Sequence, residues 1–137
     1  MVRAIYGSPG TLKFPPVTGA LEAIRTLTAT VEVVVLTARL PNEVKLAEDW
    51  IEAHVGRPLT VRGTAQRAKA AYCAELELEV LIEDSPRMLV PLRDSATRPM
   101  LLRRPYNSWY ECPNFVTCGT WSQLCEAVLT GAPPLVD

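Results

Sequence analysis

Four short stretches of this chain carry side chains suited to handling a phosphate group or a hard cation. Thr37-Ala38-Arg39 offers a hydroxyl and a guanidinium. A hydroxyl followed by backbone N–H groups makes a cradle for phosphate oxygens. Glu83-Asp84 sets two carboxylates side by side, hard oxygens of the kind that hold Mg²⁺. Lys69 lies upstream of them and supplies a cation to steady a phosphoryl group or a carboxylate. Arg103-Arg104-Pro105-Tyr106-Asn107, followed by Trp109-Tyr110, mixes guanidinium groups with aromatic rings. Such a mixture stacks bases or binds phosphates, and it is equally the composition of a protein–protein hot spot. Each stretch also has a plain reading. Thr37 opens a helix turn, the acidic pair caps the next helix, Lys69 is a solvated helix charge, and the 103–109 loop packs on its own domain.

What these stretches can do depends on the elements that hold them. Hydrophobic periodicity alternates between strand and helix along the chain. Val2 to Tyr6 reads as a short strand, and Thr18 caps a helix over Gly19 to Ala29 with Leu21, Ile24 and Leu27 on one face. Val31 to Leu36 is nearly all β-branched, the pattern of a strand buried on both faces. Pro41 suits the first position of a helix through His54, which Gly56 and Pro58 stop. A strand at Leu59 to Arg62, a helix from Thr64 to Leu76 and a buried strand at Val80 to Ile82 follow. A helix over Arg87 to Arg93, strands at Met100 to Leu102 and Phe115 to Thr117, and a helix from Trp121 to Leu129 complete the pattern. This alternation predicts an α/β fold, a Rossmann-like three-layer sandwich whose parallel central sheet is covered by helices on both faces. Residues 1–130 are expected to form one domain and 131–137 a C-terminal tail. In such sheets ligands bind beyond the carboxyl ends of the strands. Those ends are Gly7 to Thr11, Thr37 to Arg39, Glu83 to Arg87 and Arg103 to Ser108, so three of the four chemistry-bearing stretches fall at one rim, and Lys69, on the helix leading into the Val80 strand, is expected to reach it.

Composition narrows the partners. The 137 residues carry 14 Lys and Arg against 15 Asp and Glu, a formal charge of -1, which gives no basic field of the kind that gathers nucleic acid or anionic membrane. No apolar run approaches the length of a membrane span, and the first residues run straight into strand-like sequence rather than a signal peptide. A cytoplasmic or other intracellular protein is expected, with no membrane partner. The four cysteines, Cys73, Cys112, Cys118 and Cys125, contain no C-x-x-C pair, and His54 is the sole histidine. They read as free thiols in a reducing compartment rather than as a zinc site or a disulfide scaffold. His54 reads as the end of a helix, where a ring favours the negative pole of the dipole.

The combination of a threonine after the second strand, a lysine on a later helix and an acidic pair at the next strand end resembles the haloacid dehalogenase-like (HAD) superfamily. Within it, the chain resembles the small nucleotidase-like members related to 5'(3')-deoxyribonucleotidases. The stretches that carry the likeness are VVVLTAR ending at Arg39, KAAYCAELELEVLIEDSP from Lys69 to Pro86, and RRPYN from Arg103 to Asn107. Trp121 at the start of the last helix also suits those relatives. The resemblance implies phosphate binding by Thr37, Arg39 and Lys69, and Mg²⁺ binding by Glu83 and Asp84. It also implies a first motif, Asp-x-Asp-Gly-Thr, after the first strand, whose first aspartate is the nucleophile and a metal ligand and whose second is the acid and base. Here that stretch is Gly7-Ser8-Pro9-Gly10-Thr11-Leu12. The Gly-Thr-Leu end is kept, but Gly7 and Pro9 fall at the two aspartate positions.

Between Thr11 and Thr37, and between Thr37 and Lys69, the chain has length for one helix and one strand each, so no cap domain is expected. An open site excludes water poorly from a small substrate. The expectation is therefore a pseudoenzyme whose catalytic set is no longer intact, retained as a binding or assembly module. Its partner would be another protein or a larger assembly, such as that of a phage. Arg103, Arg104, Tyr106, Asn107 and Trp109 would be the contacts for that partner, or for a nucleotide or nucleic acid. No cofactor is expected. The competing reading is a residual phosphohydrolase or nucleotide-binding protein that uses Thr37, Lys69, Glu83 and Asp84 with Mg²⁺.

Overall fold

In the computed structural model, the described residues are 2–6, 19–37, 41–64, 68–109 and 115–131, with the backbone alone for 2–6 and 41–42. The chain runs β1 (Val2–Tyr6), α1 (Ala20–Thr28), β2 (Glu32–Thr37), α2 (Pro41–Val55), β3 (Thr60–Gly63), α3 (Lys69–Glu75) and β4 (Val80–Glu83). It continues with α4 (Pro86–Leu89), a 3₁₀ turn at Val90–Leu92, β5 (Arg98–Leu102), a 3₁₀ turn at Pro105–Asn107, β6 (Val116–Cys118) and α5 (Trp121–Thr130). The six strands form one sheet in the order β3-β2-β1-β4-β5-β6, and every neighbouring pair is parallel. That is the strand order of Rossmann-like sheets, with the crevice at the point where the order reverses, between β1 and β4.

Strand parity decides what each side of the sheet touches. Val33, Val80, Ile82, Met100 and Leu102 join Ala23 and Leu27 of α1 and Trp121, Leu124, Cys125 and Val128 of α5 in one core cluster. Their alternates, Val34, Leu36, Leu81 and Leu101, meet Cys73 of α3 with Leu89 and Leu92 in a second. Val35 packs with Ile51 and Val55 of α2. Strands that bury both alternating sets need apolar residues at every position, which is why β2 and β4 read as continuous apolar runs.

Local chemistry sets the ends. Thr120 caps α5, its side chain accepting from the Gln123 N–H at 3.1 Å, and Gly131 closes it in the left-handed region with φ 71°. Arg25 of α1 donates from Nε to the Val55 carbonyl at 3.3 Å and from its guanidinium to the His54 carbonyl, tying α1 to the carboxyl end of α2. His54 stands in that last turn, its ring stacked on Trp50 and its Nδ1 2.8 Å from the Trp50 carbonyl.

Several expected boundaries move. The helix expected from Thr64 starts at Lys69, because the Thr64 N–H donates to the Thr37 carbonyl at 2.8 Å and prolongs the sheet edge. The helix expected over Arg87 to Arg93 is one turn, Pro86–Leu89, followed by a 3₁₀ turn; Pro91 has no N–H with which to continue the α-helical ladder. Thr37 and Glu83 are the last residues of β2 and β4 rather than loop residues. Among the described residues, no helix is long and apolar enough to cross a membrane. Gly7, Pro9, Gly10, Thr11, Ala38, Arg39, Tyr110, Cys112 and the 132–137 tail lie outside the described residues.

Candidate functional site

The site follows from the sheet. β3 ends at the carboxyl edge, and the helix that returns from it begins there, so Lys69, the first residue of α3, stands at the rim. Its ammonium donates to Glu83 Oε1 at 2.6 Å and to the Leu36 carbonyl at 3.2 Å. Leu36 belongs to β2 and Glu83 to β4, and β1 lies between them. Lys69 therefore bridges the two strands across the carboxyl end of β1, where Tyr6 stands beside Leu36.

Both members of this ion pair are 1% exposed. Burial lowers the Lys69 ammonium below its ordinary value despite the attraction of Glu83. The same burial raises the Glu83 carboxyl, against the pull of Lys69 and with the help of the nearby Asp84 charge. The second Glu83 oxygen, Oε2, accepts the backbone N–H groups of Asp84 at 3.0 Å and Ser85 at 3.3 Å. Glu83 is thus taken up by a cation on one oxygen and two amides on the other.

Asp84, one residue on, is half-buried and turns to the next loop. Its Oδ2 accepts a hydrogen bond from the Tyr106 hydroxyl. Burial of that hydroxyl end, and then the carboxylate it meets, raise the Tyr106 phenol above its ordinary value. Asn107 locks the two loops together: its Nδ2 donates to the Asp84 carbonyl at 2.7 Å and to the Leu102 carbonyl at 3.0 Å, and its Oδ1 accepts from the Arg104 N–H at 2.8 Å. Arg103 donates to the Asn107 carbonyl at 2.6 Å. Trp109 donates from Nε1 to the Tyr106 carbonyl at 3.0 Å.

The structure therefore gathers Thr37, Lys69, Glu83 and Asp84 at one edge of the sheet, on the strands flanking β1 and the helix above it. Thr37 is buried, as is Thr64 beside it, whose Oγ1 has no hydrogen-bond partner among the described residues. Of the loop residues, Asn107 is 2% exposed and turned inward as a structural tie, whereas Tyr106 and Trp109 face solvent. The Asn107 tie and the Tyr106–Asp84 bond are missing from the sequence reading. The one signal for the tie is an asparagine two residues after Pro105, a residue type that bonds local backbone. Nothing in the sequence marks Thr64.

Magnesium fits the described residues poorly. Glu83 is committed to Lys69 and two amides, Asp84 is bonded to Tyr106, and no group of three His, Cys, Asp or Glu side chains gathers among the described residues. Mg²⁺ asks for near-octahedral oxygens, and this donor set supplies one accessible carboxylate.

The chain matches no protein-family model and no solved structure. Curated proteins of Bordetella parapertussis, Bordetella bronchiseptica and Bordetella pertussis, each named "Putative 5'(3')-deoxyribonucleotidase", are 35% identical to it over 112 residues, 78% of this chain. The match covers 58% of each relative, so the chain spans little more than half the length of these distant homologues.

Proposed function

We propose that this chain is a HAD-like core of nucleotidase type, a three-layer sandwich without a cap, that binds a phosphate monoester at its rim without hydrolysing it. It then serves as a binding or assembly module. The observation that carries the reading is Lys69, held by Glu83 and the Leu36 carbonyl across the end of β1, with Thr37 on one side and Asp84 on the other. Hydrolysis in this family needs a nucleophilic carboxylate directly after the first strand, and the residue after Tyr6 is Gly7, with Pro9 at the acid–base position. A glycine there contributes no carboxylate to share Lys69 or to repel a phosphate dianion, so the same replacement that removes turnover favours phosphate binding. Thr37 and Arg39 would complete the phosphate contacts. An intracellular protein partner would close the open face.

The name of the Bordetella relatives favours a second reading, a residual Mg²⁺-dependent nucleotidase in which Asp84 is the remaining acidic ligand. Phosphate release from deoxynucleoside 5'-monophosphates and from p-nitrophenyl phosphate, with and without Mg²⁺, separates the two. The expected result is no release above buffer by folded wild type, together with calorimetric binding of inorganic phosphate that Thr37→Val weakens. Turnover by wild type that Asp84→Ala abolishes would overturn the first reading and establish the second.

A further inference from the structure

Helices α1 and α5 lie side by side on one face of the sheet, both leaving its carboxyl edge, and they share the core cluster that holds Leu27 and Leu124. They meet at their first turns, where a methyl group on Gly19 would stand 3.5 Å from the Trp121 Cβ. Beyond that contact the side chains between them are small, and the helices leave an open groove of about 410 Å³, the size of a small-ligand site. The positions that line it recur at three and four residues on each helix, Glu22, Ala23 and Thr26 on one wall and Cys125, Glu126 and Leu129 on the other. Ala23 and Cys125 are buried and Leu129 is 40% exposed, so the groove is apolar along its length, and each wall carries one carboxylate.

Neither carboxylate is neutralised. No ion pair among the described residues includes Glu22 or Glu126. The arginines that touch these helices donate to backbone carbonyls instead, Arg25 to Val55 and His54, Arg57 to Thr28 and Arg98 to Gly131. Nor do the acids converge: no three His, Cys, Asp or Glu side chains gather closely enough for a metal ion among the described residues, although Glu22, Cys125 and Glu126 all line this groove. Carboxylates set on opposite walls of an apolar channel match a ligand whose own positive charges are separated by methylene groups.

We infer that the groove between α1 and α5 binds a linear aliphatic diamine or polyamine, one ammonium group against Glu22, another against Glu126, and the methylene chain over Ala23, Cys125 and Leu129. The ammonium–carboxylate contacts supply charge-assisted hydrogen bonds, and the methylene groups leave water against the apolar lining. A metal ion makes no use of that lining, and a monoamine leaves one carboxylate unmet. The groove lies on the α1 and α5 side of the sheet, whereas Lys69 opens α3, which packs on the other side. This inference therefore stands apart from the phosphate-binding reading.

The test is calorimetry at low ionic strength, where exposed charges are least screened, with 1,5-diaminopentane, spermidine, n-pentylamine and Mg²⁺ as the probes. The diamine should bind about five-fold more tightly than n-pentylamine, the upper end for one added exposed ion pair. Glu22→Gln and Glu126→Gln, both at exposed helix positions, should each weaken the diamine by a similar factor, and the double variant by about twenty-fold. Leu129→Ser should weaken it with both carboxylates in place, and urea melts confirm that the variants are folded. Equal binding of diamine and monoamine, Mg²⁺ binding as tight as the diamine, or an unaffected Leu129→Ser would overturn the inference and reduce the groove to an acidic surface. Glutamine variants that bind the diamine like wild type, or wild type that binds neither diamine nor spermidine, would overturn it outright.

Discussion

Replacing Lys69 with methionine removes one member of a buried ion pair and leaves the other in place. At 2.6 Å and an effective dielectric of about 20, the two charges attract by about 6 kcal/mol. Desolvating two ions costs several kcal/mol each, so the intact pair adds little net stability. The single variant keeps the cost for Glu83 and loses the attraction. Two backbone N–H groups still serve Glu83 Oε2, which places the loss at the low end of the range for a broken buried pair, about 3 kcal/mol. That corresponds to a fall in Tm of about 10 °C for a domain of this size. Glu83→Gln should lose a similar amount, because it leaves the Lys69 charge buried. Lys69→Met combined with Glu83→Leu removes both charges and should lie within about 1 kcal/mol of wild type, since apolar pairs of similar volume replace buried ion pairs at little cost.

Urea unfolding of the four proteins measures this cycle directly, and its pH dependence gives an independent check. Burial raises the folded-state Glu83 carboxyl above its unfolded value, and without Lys69 the upward shift grows. A group with a raised folded pKa has its stability contribution fully present below the unfolded pKa and loses it as pH rises through the folded one. The deficit of Lys69→Met should therefore be largest near neutral pH and shrink as the solution is taken down towards about pH 4. A double variant that costs the sum of the two singles, or a single variant costing less than about 1 kcal/mol, would refute the account of a desolvated, mutually dependent pair.

Asn107→Ala leaves two carbonyls and one N–H of the β4–β5 junction without their partner and should cost about 2–3 kcal/mol in urea melts. Burial pushes the Cys73 and Cys118 thiols from their ordinary 9.0 to about 11. At about pH 8 their thiolate fraction falls roughly a hundred-fold, and a disulfide reagent should label them only as the protein unfolds. By the same sign rule, their contribution to stability holds below about pH 9 and is lost as pH rises through about 11, which alkaline melts would show. Millimolar Mg²⁺ should move the wild-type Tm by less than about 1 °C, whereas Gly7→Asp with Pro9→Asp, which adds two carboxylates after β1, should give a clear Mg²⁺-dependent rise before any gain in turnover. Arg25→Ala should cost about 1 kcal/mol through the lost tie between α1 and the end of α2.

The sheet was readable because its strands are buried on both faces. Val33-Val34-Val35-Leu36 and Val80-Leu81-Ile82 leave no doubt about element type, and strand–helix alternation then dictates parallel pairing. Helix starts were less readable where the cap is unconventional. Ala68 caps α3 with extended φ and ψ of -59° and 131° and no side-chain hydrogen bond, so no residue type announced that Lys69, and not Thr64, opens the helix. The grouping of Thr37, Glu83 and Asp84 follows from strand ends, and strand ends can be read. The Asn107 and Tyr106 bonds follow from how two neighbouring loops happen to meet, and one-dimensional periodicity carries no information about that. The same loop misled on Asn107: residue type suggested a surface contact, and the backbone turned it inward.

The division of labour between the two adjacent carboxylates is itself a consequence of strand parity. Val80 and Ile82 point to the α1 and α5 side and Leu81 to the α3 side, so Glu83, two residues after Leu81, points to α3. Lys69 opens α3 at the same edge and meets it there. Asp84 follows with the opposite parity as β4 ends, and it meets the β5 loop instead, through Tyr106. Exchanging the two residue types would not exchange their roles, because position 83 is sealed and position 84 is half-open whatever carboxylate stands there. The buried acid sets where Lys69 sits across the end of β1. The half-open one holds the loop after β5 through the Tyr106 hydroxyl.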